Sequence, residues 1–473
     1  MTSRSAPAVR GAIEGFYGEP FSHAQRAMLV RFLGAHGYDH YVYAPKNDPL
    51  HRERWRDPYP PRELAAFREL AATCADAGVR LVYAIAPGFS YDANDPRDFE
   101  RLVAKITSMV DAGARGIALL FDDLTTDSTT LDPVVQAELI ARTASVVESL
   151  DRDLTFWFIG NFYCGTVAEL RAGTGFWSAL YGRTALEYFE AYARFVPPSI
   201  PIMWTGPAVF TARLARDDVE ELRALVRRPV VLWDNFPVND TLPGQLFLSP
   251  YVGREPEALR ALHGVVLNLM SQASANRIPL ATAAELFANP DAYDPVAALE
   301  RAVRKVARDE RSAAALRMLV EQQKGHPVLA GQACAQELAR HIAAAFGDER
   351  VDADGIAALR DYLVALVEND RALREHLADD PLLDEVAPWS EQLARLARAA
   401  LLGLEALDGV ASREEYESAR DAARATDRVV AATVLPPVLL PLVAGQGDTV
   451  DRFATLFAEI DRRLDAAASR DVS

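Results

Sequence analysis

Eight short apolar or aromatic runs recur along the first part of the chain, at residues 9–14, 40–45, 80–87, 116–122, 154–160, 200–204, 229–233 and 264–268. Each has the length of a strand. Between many of them lie amphipathic stretches of helical period, over residues 23–36, 62–77, 96–112, 132–150 and 217–227, usually opened by the Ser, Pro or Asp that starts helices. Such alternation makes parallel strands, because each helix carries the chain back to the same edge before the next strand begins. The runs are continuously apolar rather than alternating, so both faces of the sheet are covered. Eight such units in roughly 280 residues match a (β/α)8 barrel, which is the expected fold of residues 9–290 after a short tail at 1–8. The rival is an open doubly wound sheet. It would carry a GxGxxG phosphate loop after its first strand, and Gly15-Phe16-Tyr17-Gly18 lacks that spacing.

Beyond about residue 290 the strand signal gives way to Ala-rich helical periodicity. One apolar stripe is Ile356, Leu359, Leu363, Leu366 and Val367, a second Leu393, Leu396, Leu401 and Leu404, a third Phe453, Leu456, Phe457, Ile460 and Leu464. Residues 291–473 are therefore expected to form an all-α helical bundle with the stripes as its core rather than as a binding face. A length of 473 residues allows two or three domains, and 50% hydrophobic with 25% charged residues is ordinary for a globular chain.

The formal charge of −17, from 67 acidic against 50 Lys and Arg residues without a basic run, argues against a nucleic-acid groove. Cys74, Cys164 and Cys334 are an odd number at wide spacing, which fits neither a disulfide framework nor a structural zinc site. The first ten residues, MTSRSAPAVR, lack the apolar core of a secretory signal. The longest apolar stretch, 429–444, contains Pro436, Pro437 and Pro441 and falls short of a membrane span. The expectation is a cytoplasmic protein that does not engage a membrane.

A barrel of this kind builds its site at the C-terminal ends of the strands. Here the runs end in Glu14-Gly15-Phe16-Tyr17-Gly18, Tyr43-Ala44-Pro45-Lys46-Asn47-Asp48 and Leu120-Phe121-Asp122-Asp123. Later ones lead into Asn161-Phe162-Tyr163, Trp204-Thr205-Gly206 and Trp233-Asp234-Asn235, and the eighth ends at Asn268. Asp122-Asp123 is the sharpest feature. Two adjacent carboxylates straight after an apolar strand repel each other and lose solvation, so one should be harder to ionise than the other. That divergence is what acid/base work near neutral pH requires. The blander reading, in which Asp123 or Asp127 opens a loop or caps a helix, loses weight at a barrel strand end. Consecutive strand residues face opposite ways, so both carboxyls reach one ligand only if the strand has ended.

Most retaining glycosidases set two carboxyls on opposite sides of the bond, and no second acid at another strand end stands out equally. Neighbouring carboxyls suit substrate assistance instead. A 2-acetamido oxygen attacks the anomeric carbon, one Asp holds the amide N–H, and the other protonates the leaving oxygen. Trp204 and Trp233 can wall a sugar pocket, although each taken singly reads equally as core. Lys46, Asn235, Asp240 and Asn268 offer directional groups to hydroxyls, although Lys46 alone could be a surface charge. No HExxH, Ser elbow or Walker loop is present, and no His is placed to activate Cys164, so neither metal nor cofactor is expected.

These residues resemble glycoside hydrolase family 84, which contains the protein O-GlcNAcases and related bacterial β-N-acetylglucosaminidases. The resemblance covers residues 9–290 and rests on six ordered segments: Gly11-Ala12-Ile13-Glu14-Gly15-Phe16-Tyr17-Gly18, Tyr43-Ala44-Pro45-Lys46-Asn47-Asp48-Pro49, Phe121-Asp122-Asp123, Tyr163-Cys164-Gly165-Thr166, Met203-Trp204-Thr205-Gly206 and Trp233-Asp234-Asn235. It implies that Asp122 orients and polarises the acetamido nitrogen, that Asp123 is general acid and then base, and that Tyr163 bonds the acetamido oxygen. It further implies that Gly15, Lys46, Asn235, Asp240 and Asn268 hold sugar hydroxyls and that Trp233 walls the acetyl methyl. The substrate implied is a GlcNAc-bearing glycoprotein or small glycoside. Two departures touch loops around the pocket: Gly160-Asn161-Phe162 stands where the family has Pro-Thr-Glu, and Leu269 where it has Pro after the Asn. The helical part is similar in position to the family's stalk domain, which implies a possible homodimer through it. The rival readings are an endo-acting hexosaminidase on hyaluronan-like glycans and a catalytically silent sugar-binding scaffold.

Overall fold

The computed structural model describes residues 7–242, 244–323, 336–347, 352–377, 380–427 and 452–471. They fall into two compact units, one of residues 7–240 with 251–295, the other of the described residues in 241–250 and from 296 onward.

In the first unit eight strands form a closed parallel barrel in sequence order. They are β1 (Val9–Glu14), β2 (His40–Tyr43), β3 (Arg80–Ile85), β4 (Gly116–Leu120), β5 (Thr155–Ile159), β6 (Ile202–Trp204), β7 (Val230–Asp234) and β8 (Gly264–Asn268). The barrel closes where β1 pairs with β8, from Val9 opposite Gly264 to Ile13 opposite Asn268. β2 and β3 stop short of the apolar runs that announce them because Pro45 and Pro87 have no N–H to give the ladder.

The intervening helices start where their caps are. Ser22 and Gln25 form a reciprocal capping box at the helix His23–Ala35. Asp95 precedes Pro96–Asp111 and accepts from the Arg97 N–H. The Asp132 carboxylate accepts from the N–H groups of Val134 and Val135 at 2.9 and 3.1 Å at the head of Pro133–Leu150.

Two strand-end carboxylates that look like site residues are structural. Glu14, fully buried, takes Arg26 bidentately at 2.8 and 2.8 Å, the Tyr41 hydroxyl at 2.7 Å and the Phe21 N–H at 2.9 Å. Asp234 takes Arg254 at 2.7 and 2.7 Å and the Tyr251 hydroxyl at 2.5 Å. Such saturation leaves little capacity for a ligand.

Beyond residue 295 the described part of the second unit is helical, with Pro295–Val306 leading into it and then Glu310–Gln323, Gln336–Phe346, Ala353–His376, Pro381–Leu407, Arg413–Asp427 and Arg452–Asp471. The three stripes meet in one core, where Leu359, Leu363, Leu366, Leu396, Leu404, Leu456, Phe457 and Ile460 are buried together. Among the described residues no helix is long and apolar enough to cross a membrane. The stretch 429–444 and Cys334 lie outside the described residues.

Candidate active site

β4 ends at Leu120, although the Phe121 N–H still bonds the Ile159 carbonyl at 3.0 Å. Two residues later Asp123 adopts φ +55°, the left-handed region that L residues rarely enter and that Asp tolerates better than most. The strand has ended where the two carboxyls begin, so alternation no longer separates them.

Each carboxyl meets a different environment. Asp122 Oδ2 is ion-paired with Lys46 from the end of β2, while its Oδ1 is buried without a partner. Burial works to raise the Asp122 pKa, but the Lys46 ammonium and then the Arg52 guanidinium outweigh it and hold the carboxyl below its ordinary value. Asp122 is therefore ionised at neutral pH with unused lone pairs, an arrangement ready for an N–H donor.

Asp123 is held by two phenols, with the Tyr17 hydroxyl donating to Oδ2 at 2.7 Å and the Tyr163 hydroxyl donating to Oδ1 at 2.7 Å. Burial, reinforced by the charge of Asp123, pushes both phenols well above their usual range, so they remain neutral donors. The Tyr163 ring packs 4.9 Å from Trp177, and its carbonyl accepts from the Thr205 N–H at 2.8 Å, which ties the end of β5 to the end of β6. Trp177 Nε1 donates to Cys164 Sγ at 3.1 Å, and burial pushes that thiol up to about 12, which makes it a poor nucleophile.

Opposite these acids runs an amide network. Asn268 Oδ1 accepts from the Gly15 N–H at 3.1 Å, and its Nδ2 donates to Asn235 Oδ1 at 2.9 Å. Trp233 Nε1 donates to the same oxygen at 3.2 Å, and Asn235 Nδ2 donates to the Val209 carbonyl at 2.8 Å. Asp240 Oδ2 accepts from the Tyr17 N–H at 3.0 Å. The Trp233 ring lies 5.2 Å from Lys46 Nζ and presses on the first loop so closely that a Cβ at Gly15 would stand 2.5 Å from Cζ2. Only glycine fits there.

Asp122, Asp123, Tyr163, Gly15, Lys46, Trp233, Asn235, Asp240 and Asn268 thus gather at one end of the barrel. Trp204 ends β6 and is buried, but no hydrogen bond or ring contact among the described residues links it to this network, and its Nε1 is buried without a partner. Sequence reasoning missed Tyr17 and Arg52. Tyr17 lay inside a quoted motif without a role of its own, and Arg52 lay outside every quoted motif. Among the described residues no three His, Cys, Asp or Glu side chains gather as metal ligands.

The family described as beta-N-acetylglucosaminidase matches residues 10–321. Protein O-GlcNAcase of Mus musculus is 31% identical over 281 residues, which are 59% of this chain and 30% of that protein. The Rattus norvegicus protein of the same name matches with the same identity and coverage. The matched segment thus spans less than a third of these curated relatives. A mutant O-GlcNAc hydrolase of Thermobaculum terrenum shares the architecture throughout, with a TM-score of 0.78, 25% identity and coverage of 98% of this chain and 96% of that one. A family match over more than half of the chain, on a barrel whose strand ends bring together the residues of its motifs, places this protein in glycoside hydrolase family 84, the β-N-acetylglucosaminidases.

Proposed function

We propose that the chain removes terminal β-linked GlcNAc with retention of configuration, including O-GlcNAc from Ser and Thr of proteins, using the substrate's acetamido group as nucleophile. The observation that carries this reading is the split between the neighbours: Asp122 is held ionised with Oδ1 unpartnered, and Asp123 is held between two phenols.

In the first step the acetamido oxygen attacks the anomeric carbon, and the glycosidic C–O bond breaks. Asp122 Oδ1 accepts the acetamido N–H and stabilises the positive charge that spreads over the forming oxazoline ring. Asp123 gives its proton to the leaving oxygen. The Tyr163 hydroxyl, which donates to Asp123 in the free pocket, turns to the acetamido oxygen. In the second step Asp123 takes a proton from water as that water opens the ring at the anomeric carbon, and two inversions give net retention. Gly15, Asn235, Asp240 and Asn268 surround the hydroxyls, Lys46 adds an ammonium to that polar wall, and Trp233 lines the acetyl methyl. Trp204, at the end of β6, is a second aromatic wall of the sugar pocket. A homodimer through the helical part is proposed on the family resemblance alone. The intact network around Asp123 speaks against a silent scaffold.

The test measures Asp122→Ala and Asp123→Ala on an activated aryl N-acetylglucosaminide and on a GlcNAc-modified serine peptide. Asp123→Ala should lose roughly 10²–10⁴-fold on the peptide, the usual span for general-acid help, and far less on the activated phenol. Asp122→Ala should lose heavily on both. Equal sensitivity of the two variants would refute the division of roles.

A further inference from the structure

The other buried guanidinium groups in this barrel each make several hydrogen bonds. Arg26 and Arg254 each grip a carboxylate bidentately, and Arg228 serves the backbone carbonyls of Tyr192, Val196, Pro197 and Ile200. Arg52 is different. It is 9% exposed, and among the described residues it holds no carboxylate and makes one hydrogen bond, from Nη1 to the Tyr17 hydroxyl oxygen at 3.0 Å. Burying a charge without an ion pair is costly, and packing alone gives no return that an apolar side chain would not.

The group is nevertheless held in place. The preceding residue is pinned to the end of β3 on two sides, by the contact of His51 Nδ1 with the Ala84 carbonyl at 2.7 Å and by the Ala86 N–H donating to the His51 carbonyl at 3.0 Å. The guanidinium then lies 4.3 Å from the centre of the Phe89 ring and 5.4 Å from that of Tyr17.

This placement fixes a direction. Arginine can only donate, and a phenol has one hydrogen and two lone pairs. The Tyr17 hydrogen therefore points away from Arg52 and into Asp123 Oδ2 at 2.7 Å. Tyr163 receives no such donor, so its hydroxyl is free to turn toward a substrate while that of Tyr17 is not. A cation donating to the phenol oxygen also polarises the O–H and strengthens its bond to the carboxylate.

We infer that Arg52 is a positioning residue that acts through the Tyr17 hydroxyl on Asp123 and sets the pH range over which Asp123 carries its proton. The inference rests on the reading of Asp123 as acid and base. The groups facing Asp123 are Tyr17 from β1, Tyr163 and Cys164 from β5, Tyr181 from the helix Phe176–Tyr181, the neighbouring Asp122 with its Lys46 from β2, and Arg52. Burial keeps the three phenols and the thiol neutral. Lys46 and Asp122 cancel as a pair. Arg52 is the remaining cation, and its charge favours the Asp123 carboxylate.

The experiment compares kcat/KM against pH for an unactivated N-acetylglucosaminide in wild type, Arg52→Met, Tyr17→Phe and the double variant. The alkaline limb reports loss of the proton from the acid. Without Arg52 the carboxylate loses stabilisation, so the limb should move to higher pH by about one unit, the low end of what a neighbouring cation does to a carboxyl. Arg52→Lys should return it toward wild type. In the Tyr17→Phe background the Arg52→Met shift should shrink, because the bridge is gone. Arg52→Gln asks the same question if Arg52→Met does not fold. A limb unmoved by either neutral variant overturns the inference, and so does a shift of equal size with and without the Tyr17 hydroxyl. If Asp123→Ala instead loses equally on activated and unactivated substrates, the acid/base reading itself has failed, a result distinct from both.

Discussion

Lys46→Met isolates the electrostatics of Asp122, since methionine keeps much of the length and flexibility of the lysine stem while removing the ammonium. The ion pair with Lys46 is what reverses the upward pull of burial on Asp122. Arg52 stays behind, but removing the nearer cation leaves burial with less opposition, so the Asp122 pKa should rise. The acidic limb of kcat/KM, which reports the carboxylate that must be ionised, should rise with it. Below the displaced limb, activity falls roughly tenfold per pH unit. Stability carries the same signature with a definite sign. Asp122 in the folded wild type lies below its ordinary value of 3.8, so the pair's contribution is full above that value and is lost as pH falls through the folded one. Removing one partner of a buried ion pair costs about 3–5 kcal/mol. The variant should therefore be that much less stable at pH 7 and should approach wild type in acid. Denaturant unfolding at both pH values, beside the pH–rate profile on an activated substrate, measures each part. An unmoved acidic limb, or an equal stability deficit at both pH values, would refute the reasoning and reduce Lys46 to a packing contact.

Gly15→Ala places a Cβ 2.5 Å from Trp233 Cζ2 and 3.0 Å from Asn268 Oδ1; overpacking of this kind costs about 1–3 kcal/mol. We expect kcat/KM to fall roughly 10–100-fold, mainly through KM, as the wall of the acetyl pocket is displaced, and unchanged Michaelis parameters would contradict the close approach. An aryl glucoside lacking the 2-acetamido group should not be turned over, because its nucleophile is missing; comparable rates on the glucoside and the N-acetylglucosaminide would sink substrate assistance.

The barrel was legible because its signal is repeated: each strand is a short apolar run and each helix is opened by a capping residue, so an error at one boundary leaves the count intact. The acids at 122 and 123 were legible because charge directly after a buried strand has few innocent explanations. Glu14 and Asp234 also end strands, yet they are saturated structural carboxylates. Their neutralising partners, Arg26 and Arg254, lie 12 and 20 residues downstream, and nothing in local sequence pairs them. Tyr17 and Arg52 are the opposite case. A tyrosine after a strand reads as core. An arginine within His51-Arg52-Glu53-Arg54 reads as solvated until the chain folds it over Phe89.

Neighbours in sequence share nearly all of their local surroundings, so the different treatment of Asp122 and Asp123 has to come from elsewhere in the fold. It comes from three other strand ends. β2 supplies the cation of Lys46 to one carboxyl, while β1 and β5 supply the phenols of Tyr17 and Tyr163 to the other. The left-handed turn at Asp123 lets each acid meet its own set. β1 and β5 lie far apart around the barrel, and only its closed form brings their ends to one mouth. The contrast between two adjacent carboxyls is therefore a property of barrel closure. A substitution that loosens the β1–β8 seam, where Ile13 pairs with Asn268 and Gly15 then bonds its side chain, would blur the distinction between the acids without touching either one.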